Sequence, residues 1–538
     1  MFISYSNQPY HLQILNASKE YGENVAITNY TTKQSITYET LRKKSYQLAA
    51  GFFNQIELKK KDIILVLLPN SIEFVEVFLS TSLLGATISG INPSSTKEEI
   101  DYFVTLTKSK CLVCHSDNYN KVEHLVDILK VVVIDKKENQ IGEDFDSLIR
   151  LWNNKNVTEL EEILPTLDIQ MSDILITPFS SGTTGKPKCC MLSHRNFSCI
   201  TYILKHSLFD QISNGIKRAT LAILPFFHVS GFWPLCYCLL EGHHSVLLDE
   251  FNTMMSLEII EKYRIDVINV VPSIINFFCK NKNMVKKYDV SSVKTALVGS
   301  APLGRGMSEE FLKVFPSIEN LLQGYGMTEL CVVSHITPLG NVDGKCYDKK
   351  LGSIGKLLPG FEAKIVDSEM AVEIFEPNMT GELWLKSDAI MVGYLNDEEG
   401  TNEAIDYKGW LHTGDIVSFD KDGFYYVTGR IKELIKVHGL QVAPNEIEDK
   451  LKKHEAVFDC GVIGVSCERC GEVPKAFVVL KEGCENVKEV DILNWIHKII
   501  SPYKHIKGGI QFVSEIPRTP NGKLLRNKLK NMNENNVN

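Results

Sequence analysis

From Ile176 to Lys188 the chain reads Ile-Thr-Pro-Phe-Ser-Ser-Gly-Thr-Thr-Gly-Lys-Pro-Lys, and no other stretch narrows the possible folds as far. Four hydroxyls (Ser180, Ser181, Thr183, Thr184), the glycines Gly182 and Gly185 and the lysines Lys186 and Lys188 crowd into a few positions. Glycine lets backbone N–H groups approach an anion without a Cβ in the way, hydroxyls add short donors, and lysine adds charge. This is the composition of a loop that holds phosphate. It is not a Walker A loop, which has four residues between its glycines and a Ser or Thr after the lysine. Here two residues separate Gly182 from Gly185, and Pro187 follows Lys186. Taken alone, such a segment is equally an ordinary surface loop.

The surroundings favour an α/β fold. From about Tyr10 to Gln170, helices and strands alternate. Thr37 is placed as the N-cap of a helix running to about Asn54, and Asp62–Leu68 is a buried strand closed by Pro69-Asn70. Ser71 opens the next helix, which Leu84-Gly-Ala86 ends near a second strand. Strand–helix–strand order of this kind builds a mostly parallel sheet. Ser193 caps a helix from His194, which puts the glycine-rich loop between a strand and a helix. Lys136–Gly142 is polar and reads as a surface loop.

Composition removes several classes. With 538 residues, 44% of them hydrophobic, two to four domains are expected, and a net charge of −8 carries no electrostatic footprint for nucleic acid. The 14 cysteines are scattered, which suits reduced thiols better than a disulfide framework. Cys467-Glu-Arg-Cys470 is a lone C-x-x-C, a weak zinc signal that reads as a turn. Ala219–Leu240 is long and apolar enough to suggest a membrane span. Pro225, His228, Gly231 and Pro234 break it into a strand, a loop and a buried helix. Met1–Asn7 lacks the pattern of a secretory signal, and Glu534–Asn538 is not a Ser-Lys-Leu peroxisomal address, so the expected location is cytoplasmic.

Further motifs follow in order. They are Leu224-Pro-Phe-Phe-His-Val-Ser-Gly231, the small-residue loop Gly299-Ser-Ala301, Gln323-Gly-Tyr-Gly-Met-Thr-Glu329, Gly409-Trp-Leu-His-Thr-Gly-Asp415, Gly429-Arg-Ile-Lys432, Lys436-Val-His-Gly-Leu-Gln441 and Ile516-Pro-Arg-Thr-Pro-Asn-Gly-Lys523. Small residues at the C-terminal end of a strand admit a flat ligand in an open α/β sheet. One carboxylate, Asp415, can accept both hydroxyls of a ribose diol. Asp420-Lys-Asp-Gly423 is a hairpin turn.

Together with Ser180–Lys188, this series resembles the adenylate-forming superfamily, in its acyl-CoA synthetase and coumarate–CoA ligase-like branch. The likeness runs from about Tyr10 to Lys530. It implies an α/β fold with a large N-terminal region (1–429) of parallel-type sheets and helices plus a distorted barrel. A hinge (430–432) containing Lys432 follows, and then a small mobile α+β domain (433–538). The implied reaction joins a carboxylic acid to CoA at the expense of ATP, with Mg²⁺, through an acyl-AMP.

The resemblance also implies roles. Ser180, Ser181, Gly182, Thr183, Thr184 and Lys188 would meet the phosphates. Gly299, Ser300, Ala301, Gln323, Gly324 and Tyr325 would hold adenine. Thr328 would donate to the α-phosphate, and Glu329 would hold the metal, a hard cation that prefers carboxylate oxygen. Asp415 and Arg430 would take the ribose. His228, Ser230, Phe232 and Gly299 would shape the acyl pocket, with Trp233 beside them. Lys436, His438, Gly439 and Gln441 would serve the thioester step. Lys523 would bridge carboxylate and phosphate during adenylation, lowering the repulsion between them. A histidine in an apolar run such as His228 is otherwise a core residue.

The chain departs from the family pattern at Gly429 (Asp in many ligases), His438 (Lys in several), Glu250 (near a basic CoA contact of plant ligases) and Ser230 (Tyr in many aryl ligases). A non-CoA acceptor, or an inactive relative that only binds, stays open as an alternative. Oligomeric state is not legible.

Overall fold

A computed structural model describes residues 5–180, 187–213, 217–301, 303–339, 350–367, 370, 372–438, 440–467, 469–518 and 524–535. Two nine-stranded sheets form the larger, N-terminal part. One is built around helix α1 (His194–Leu204), strand β1 (Ala219–Ala222), helix α2 (Val229–Glu241) and strands β2 (Val267–Val270), β3 (Thr295–Val298) and β4 (Asn320–Tyr325). Strands β1 to β4 are parallel neighbours in chain order, extended on one side by His244–Leu247 and Val25–Asn29 and on the other by antiparallel edge strands. The second sheet has a parallel centre of Thr87–Gly90, Ile63–Leu67, Cys111–His115 and Lys130–Ile134.

Local chemistry sets the boundaries. Thr37 accepts from the Thr40 N–H and caps Tyr38–Gly51, while Ser71 accepts from the Phe74 N–H and caps Ile72–Leu83. Each satisfies an orphan donor of the first turn. Ser193 and Asn196 cap α1 reciprocally. The Asn196 amide also donates to the Asp388 and Ile390 carbonyls at 2.7 Å each, tying α1 to a segment almost two hundred residues away.

The glycine-rich stretch does not run from a strand straight into a helix. Phe179–Ser180 pairs antiparallel with Lys188–Ser193, and α1 begins only after that second strand. The loop therefore connects the two arms of a hairpin. Ser181 to Lys186 lie outside the described residues.

Ala219–Leu240 is a strand, a loop and a buried helix, as expected. Two contacts fold the loop. The Asn70 side chain accepts from the Phe226 N–H and donates to the Leu224 carbonyl, and Gly231 sits so close to the Leu224 and Pro225 carbonyls that any Cβ would collide. Pro234 inside α2 has no N–H to give the Ser230 carbonyl. Among the described residues, no helix is long and apolar enough to cross a membrane.

The region expected as a distorted barrel is a five-stranded antiparallel sheet that includes Gly381–Lys386, Leu411–Phe419 and Tyr425–Arg430. Its last hairpin turns at Asp420–Gly423, with Gly423 at φ 77°. The C-terminal part is α+β. Five strands, with the long hairpin Val457–Cys467/Gly471–Leu480 at their centre, carry the helices Pro444–Leu451, Glu489–His497 and Arg526–Asn535. It has a hydrophobic core of its own, in which Val437, Ile447, Val462, Val478 and Ile496 meet. Cys467 and Cys470 close the hairpin turn, and no cluster of metal-ligating side chains occurs among the described residues.

Candidate active site

One cavity of about 700 Å³ opens at the C-terminal ends of β2, β3 and β4, where ligands bind in open α/β sheets. Its mouth is lined by Ser180, Lys188, Gly299, Ser300, Gly324, Thr328, Glu329, Arg430 and Lys432, all singled out in the sequence. His228 and Ser230 line the place where it turns inward beneath α2.

Ser180 and Lys188 face each other across the hairpin, so both ends of the glycine-rich loop are fixed at the cavity wall. Lys188 Nζ lies 2.9 Å from Asp397 Oδ2 and 4.7 Å above the Tyr394 ring. That lysine, with the Gly400 N–H, holds the Asp397 carboxyl below the usual range.

Glu329 sits on a short 3₁₀ turn after β4 and is buried. Its Oε1 accepts from the Tyr394 hydroxyl at 2.9 Å. Burial, and then the nearby Glu329 carboxylate, push the Tyr394 hydroxyl and the Cys190 thiol far up, so both stay neutral. The turn is tight because Gly326 abuts the Val332 carbonyl, where no Cβ fits.

Asp415 and Arg430 are cross-strand partners on the Leu411–Phe419/Tyr425–Arg430 hairpin. Arg430 Nε donates to Asp415 Oδ1 at 2.9 Å and the Tyr325 hydroxyl donates to Oδ2 at 2.6 Å. Burial pulls the Arg430 guanidinium down, and Asp415, Glu433 and Tyr325 together more than offset it. Burial and Asp415 together raise the Tyr325 hydroxyl. Asp415 and Gln323 are buried beside the mouth and Tyr325 and Ala301 are part-buried there; none of the four lines the cavity itself.

One expectation fails on helical geometry. Phe232 does not line the acyl cavity. It is buried on the opposite side of α2, with its ring centroid 4.7 Å from Phe78, 5.9 Å from Phe197 and 6.2 Å from Phe74. Trp233, rotated 100° further round the helix, lines the cavity instead, and its indole donates to Thr201 at 2.9 Å.

The residues assigned to the thioester step lie elsewhere. Lys436 is exposed on Ile435–Val437, opposite Gln441 on the neighbouring strand. His438 takes φ 50° and donates its N–H to the Cys470 carbonyl. Gly439 and Lys523 lie outside the described residues; next to the latter, Arg518 bridges to Leu524 and its guanidinium pairs with Asp459 at 3.0 Å. Sequence reasoning placed Met391–Leu395 in the pattern but gave no role to Tyr394, nor to Asp397 or Asn70. Tyr394 lies in the stretch Gly393-Tyr-Leu395, a weak signal that shows its value only beside Glu329.

The chain belongs to the AMP-binding enzyme family, whose pattern matches residues 15–395, with the AMP-binding enzyme C-terminal domain matching residues 446–523. Within it the chain stands with the acyl-CoA synthetases and ligases. It is 36% identical over 500 residues to a probable 4-coumarate–CoA ligase 3 of Dictyostelium discoideum (90% of this chain, 88% of that one). It is 33% identical over 533 residues to 4-coumarate–CoA ligase 1 of Narcissus pseudonarcissus (97% and 93%). The fold matches that of ATP-bound MatB from Rhodopseudomonas palustris at a TM-score of 0.84 and 22% identity, over 98% of this chain and 99% of that one. It also matches o-succinylbenzoate CoA synthetase from Bacillus subtilis, in complex with its acyl-adenylate OSB-AMP, at a TM-score of 0.80 and 26% identity, over 98% of both chains.

Proposed function

We propose that this protein joins a carboxylic acid to CoA in two steps at one site. A carboxylate oxygen attacks the α-phosphorus of ATP and pyrophosphate leaves, giving acyl-AMP. The CoA thiol then attacks the acyl carbonyl and AMP leaves, giving the thioester. The observation that carries this reading is the single cavity joining Ser180, Lys188, Glu329 and Arg430 at its mouth to an apolar channel past His228.

Each role has a physical basis. Ser180, Lys188 and the intervening Ser181, Gly182, Thr183 and Thr184 would cradle the phosphates. Gly299, Ser300 and Ala301, with Gln323, Gly324 and Tyr325, would bound the adenine. Each Asp415 oxygen keeps a lone pair beyond the bonds from Arg430 and Tyr325, so both ribose hydroxyls can donate to it. Glu329, oriented by Tyr394 through one oxygen, suits Mg²⁺, which takes one or two carboxylates and completes its shell with substrate phosphates. Bound there, the ion would supply positive charge against the phosphates. Thr328 would donate to the α-phosphate, and Lys523 would bring the cation that bridges carboxylate and phosphate.

The chain divides, in this reading, into 1–429, a hinge at 430–432 and 433–538. The separate core of the C-terminal part supports that division. The smaller part would present Lys523 for the first step, and Lys436, His438, Gly439 and Gln441 for the second. A cytoplasmic setting belongs to the same proposal, and the free, buried thiols of Cys189 and Cys190 fit a reducing compartment. The test is acid-dependent exchange of pyrophosphate into ATP, followed by thioester formation on adding CoA. Exchange without thioester would move the acceptor away from CoA; no exchange with any acid would refute the adenylating role.

A further inference from the structure

The acyl arm of the cavity is long, and two independent rulers agree on its length. On α2 the lining begins at Val229 and includes Ser230, Trp233, Pro234, Tyr237 and Cys238, a single helical stripe. At 1.5 Å per residue it covers about 12 Å from Ser230 to Cys238. Across from it, the cavity is lined from Ser300, just past the C-terminal end of β3, down to Arg218, which immediately precedes the N-terminal end of β1. A four-residue strand spans about 13 Å. The channel thus runs the full height of the parallel sheet. Its walls are mostly apolar, with Leu204, Leu208, Phe209, Val267 and Leu297 joining Trp233 in the lining.

The far end is polar. Tyr237 is 4% exposed, and its ring is held by stacking on Trp233 at 5.4 Å and by Phe209 at 4.5 Å. Its hydroxyl has no hydrogen-bond partner among the described residues. Arg218 spends Nη1 on Asp266 and Nη2 on the Ile212 carbonyl at 2.6 Å, leaving its buried Nε without a partner. His243 Nδ1 accepts the Arg218 N–H at 3.4 Å, so a neutral ring carries its proton on Nε2. Burial, aided by Lys217 and Arg218, lowers His243 to about 4, which keeps the ring neutral near pH 7. Tyr237 and the neutral His243 ring line the cavity, and leaving a donor there unpaired is costly, so a ligand oxygen that meets one recovers that cost. Asp266 already balances the Arg218 charge, so the end is built for a neutral oxygen rather than a second carboxylate.

Resting on the ligase reading above, we propose that the acid is a flexible chain of medium length bearing a hydroxyl or keto oxygen at its far end, which the Tyr237 hydroxyl engages. An extended chain advances about 3.5 Å per three bonds, so 12 Å holds on the order of ten bonds. A compact aryl acid would leave Tyr237 unpaired.

The experiment compares kcat/KM for thioester formation with 10-hydroxydecanoate, decanoate, decanedioate, hexanoate and 4-coumarate. The expected order places 10-hydroxydecanoate first, about fivefold above decanoate, the value of one net hydrogen bond. Decanoate in turn exceeds hexanoate and 4-coumarate. In Tyr237→Phe the ratio of hydroxydecanoate to decanoate falls to about one; because only the ratio is read, a general loss of activity does not blur it. Thr220→Phe, which fills the far end, moves the optimum to shorter acids. The proposal is overturned if 4-coumarate or hexanoate is the best substrate, or if the hydroxyl preference survives Tyr237→Phe. Turnover of aryl acids alone would overturn only this inference, whereas pyrophosphate exchange with no acid would overturn the ligase reading with it.

Discussion

The mouth of the cavity and the C-terminal part hold their candidate residues in opposite ways. At the mouth, Glu329 is fixed by Tyr394, Asp415 by Tyr325 and Arg430, and Lys188 by Asp397, each across a long stretch of chain. In the C-terminal part, Lys436 stands exposed on a strand and lines no part of the cavity. Buried networks keep the mouth preorganised, and preorganisation is where transition-state stabilisation comes from. Groups needed for only one of two steps gain nothing from being fixed there, because a cation placed between carboxylate and phosphate for the first step would stand in the way of the incoming thiol in the second.

The largest expected effect separates the two regions by acid. His194, buried against His11 at 5.1 Å, is lowered to about 4, and buried His335 to about 3. Both rings are neutral in the fold and protonate near 6.5 once unfolded. Their contribution is therefore complete above pH 6.5 and is lost as the pH falls toward 4 and then 3, several kcal/mol in all. Hydrogen exchange should show the N-terminal sheets losing protection at a higher pH than the C-terminal sheet. Simultaneous loss would break the contrast.

Next in size is Asp415→Ala, which strands the half-buried Arg430. Breaking a buried pair costs about 3–5 kcal/mol. The first urea transition should move, the ATP KM should rise, and a transition of the C-terminal part should stay in place. Lys523→Ala should slow acyl-AMP formation by about 100-fold, the scale of one lost transition-state contact, while sparing thioester formation from preformed acyl-AMP. Lys436→Ala should show the reverse bias, and equal loss of both steps in a folded variant would sink the division of labour. Smallest is Asp397→Asn. A half-exposed pair contributes under about 1 kcal/mol, so the ATP KM should shift by less than about threefold.

What the sequence made legible follows from distance along the chain. The caps Thr37, Ser71 and Ser193 are local, and each lies where the pattern puts it. The two-residue strand Phe179–Ser180 was hidden, because its pairing partner lies beyond a run of glycines and hydroxyls. Phe232 and Trp233 are adjacent and both aromatic; which of them meets the cavity depends on how α2 is rotated against Phe74 and Phe78, a tertiary fact. Asn70, Tyr394 and Asp397 are ordinary letters until folding brings them to Phe226, Glu329 and Lys188. The polar end of the channel was invisible for the same reason, since Arg218, Tyr237 and His243 come from three separate elements.

A channel whose height equals that of a β-sheet has consequences for how selectivity can change. Bulk added at Thr220 or Leu297 can shorten it in single steps, whereas lengthening it means going past the strand ends that set its depth. Among the described residues, the Arg218–Asp266 pair stands at the bottom. A change in that pair would alter the depth beyond the strand ends, so a lineage built on this scaffold could move its chain-length limit through one ion pair.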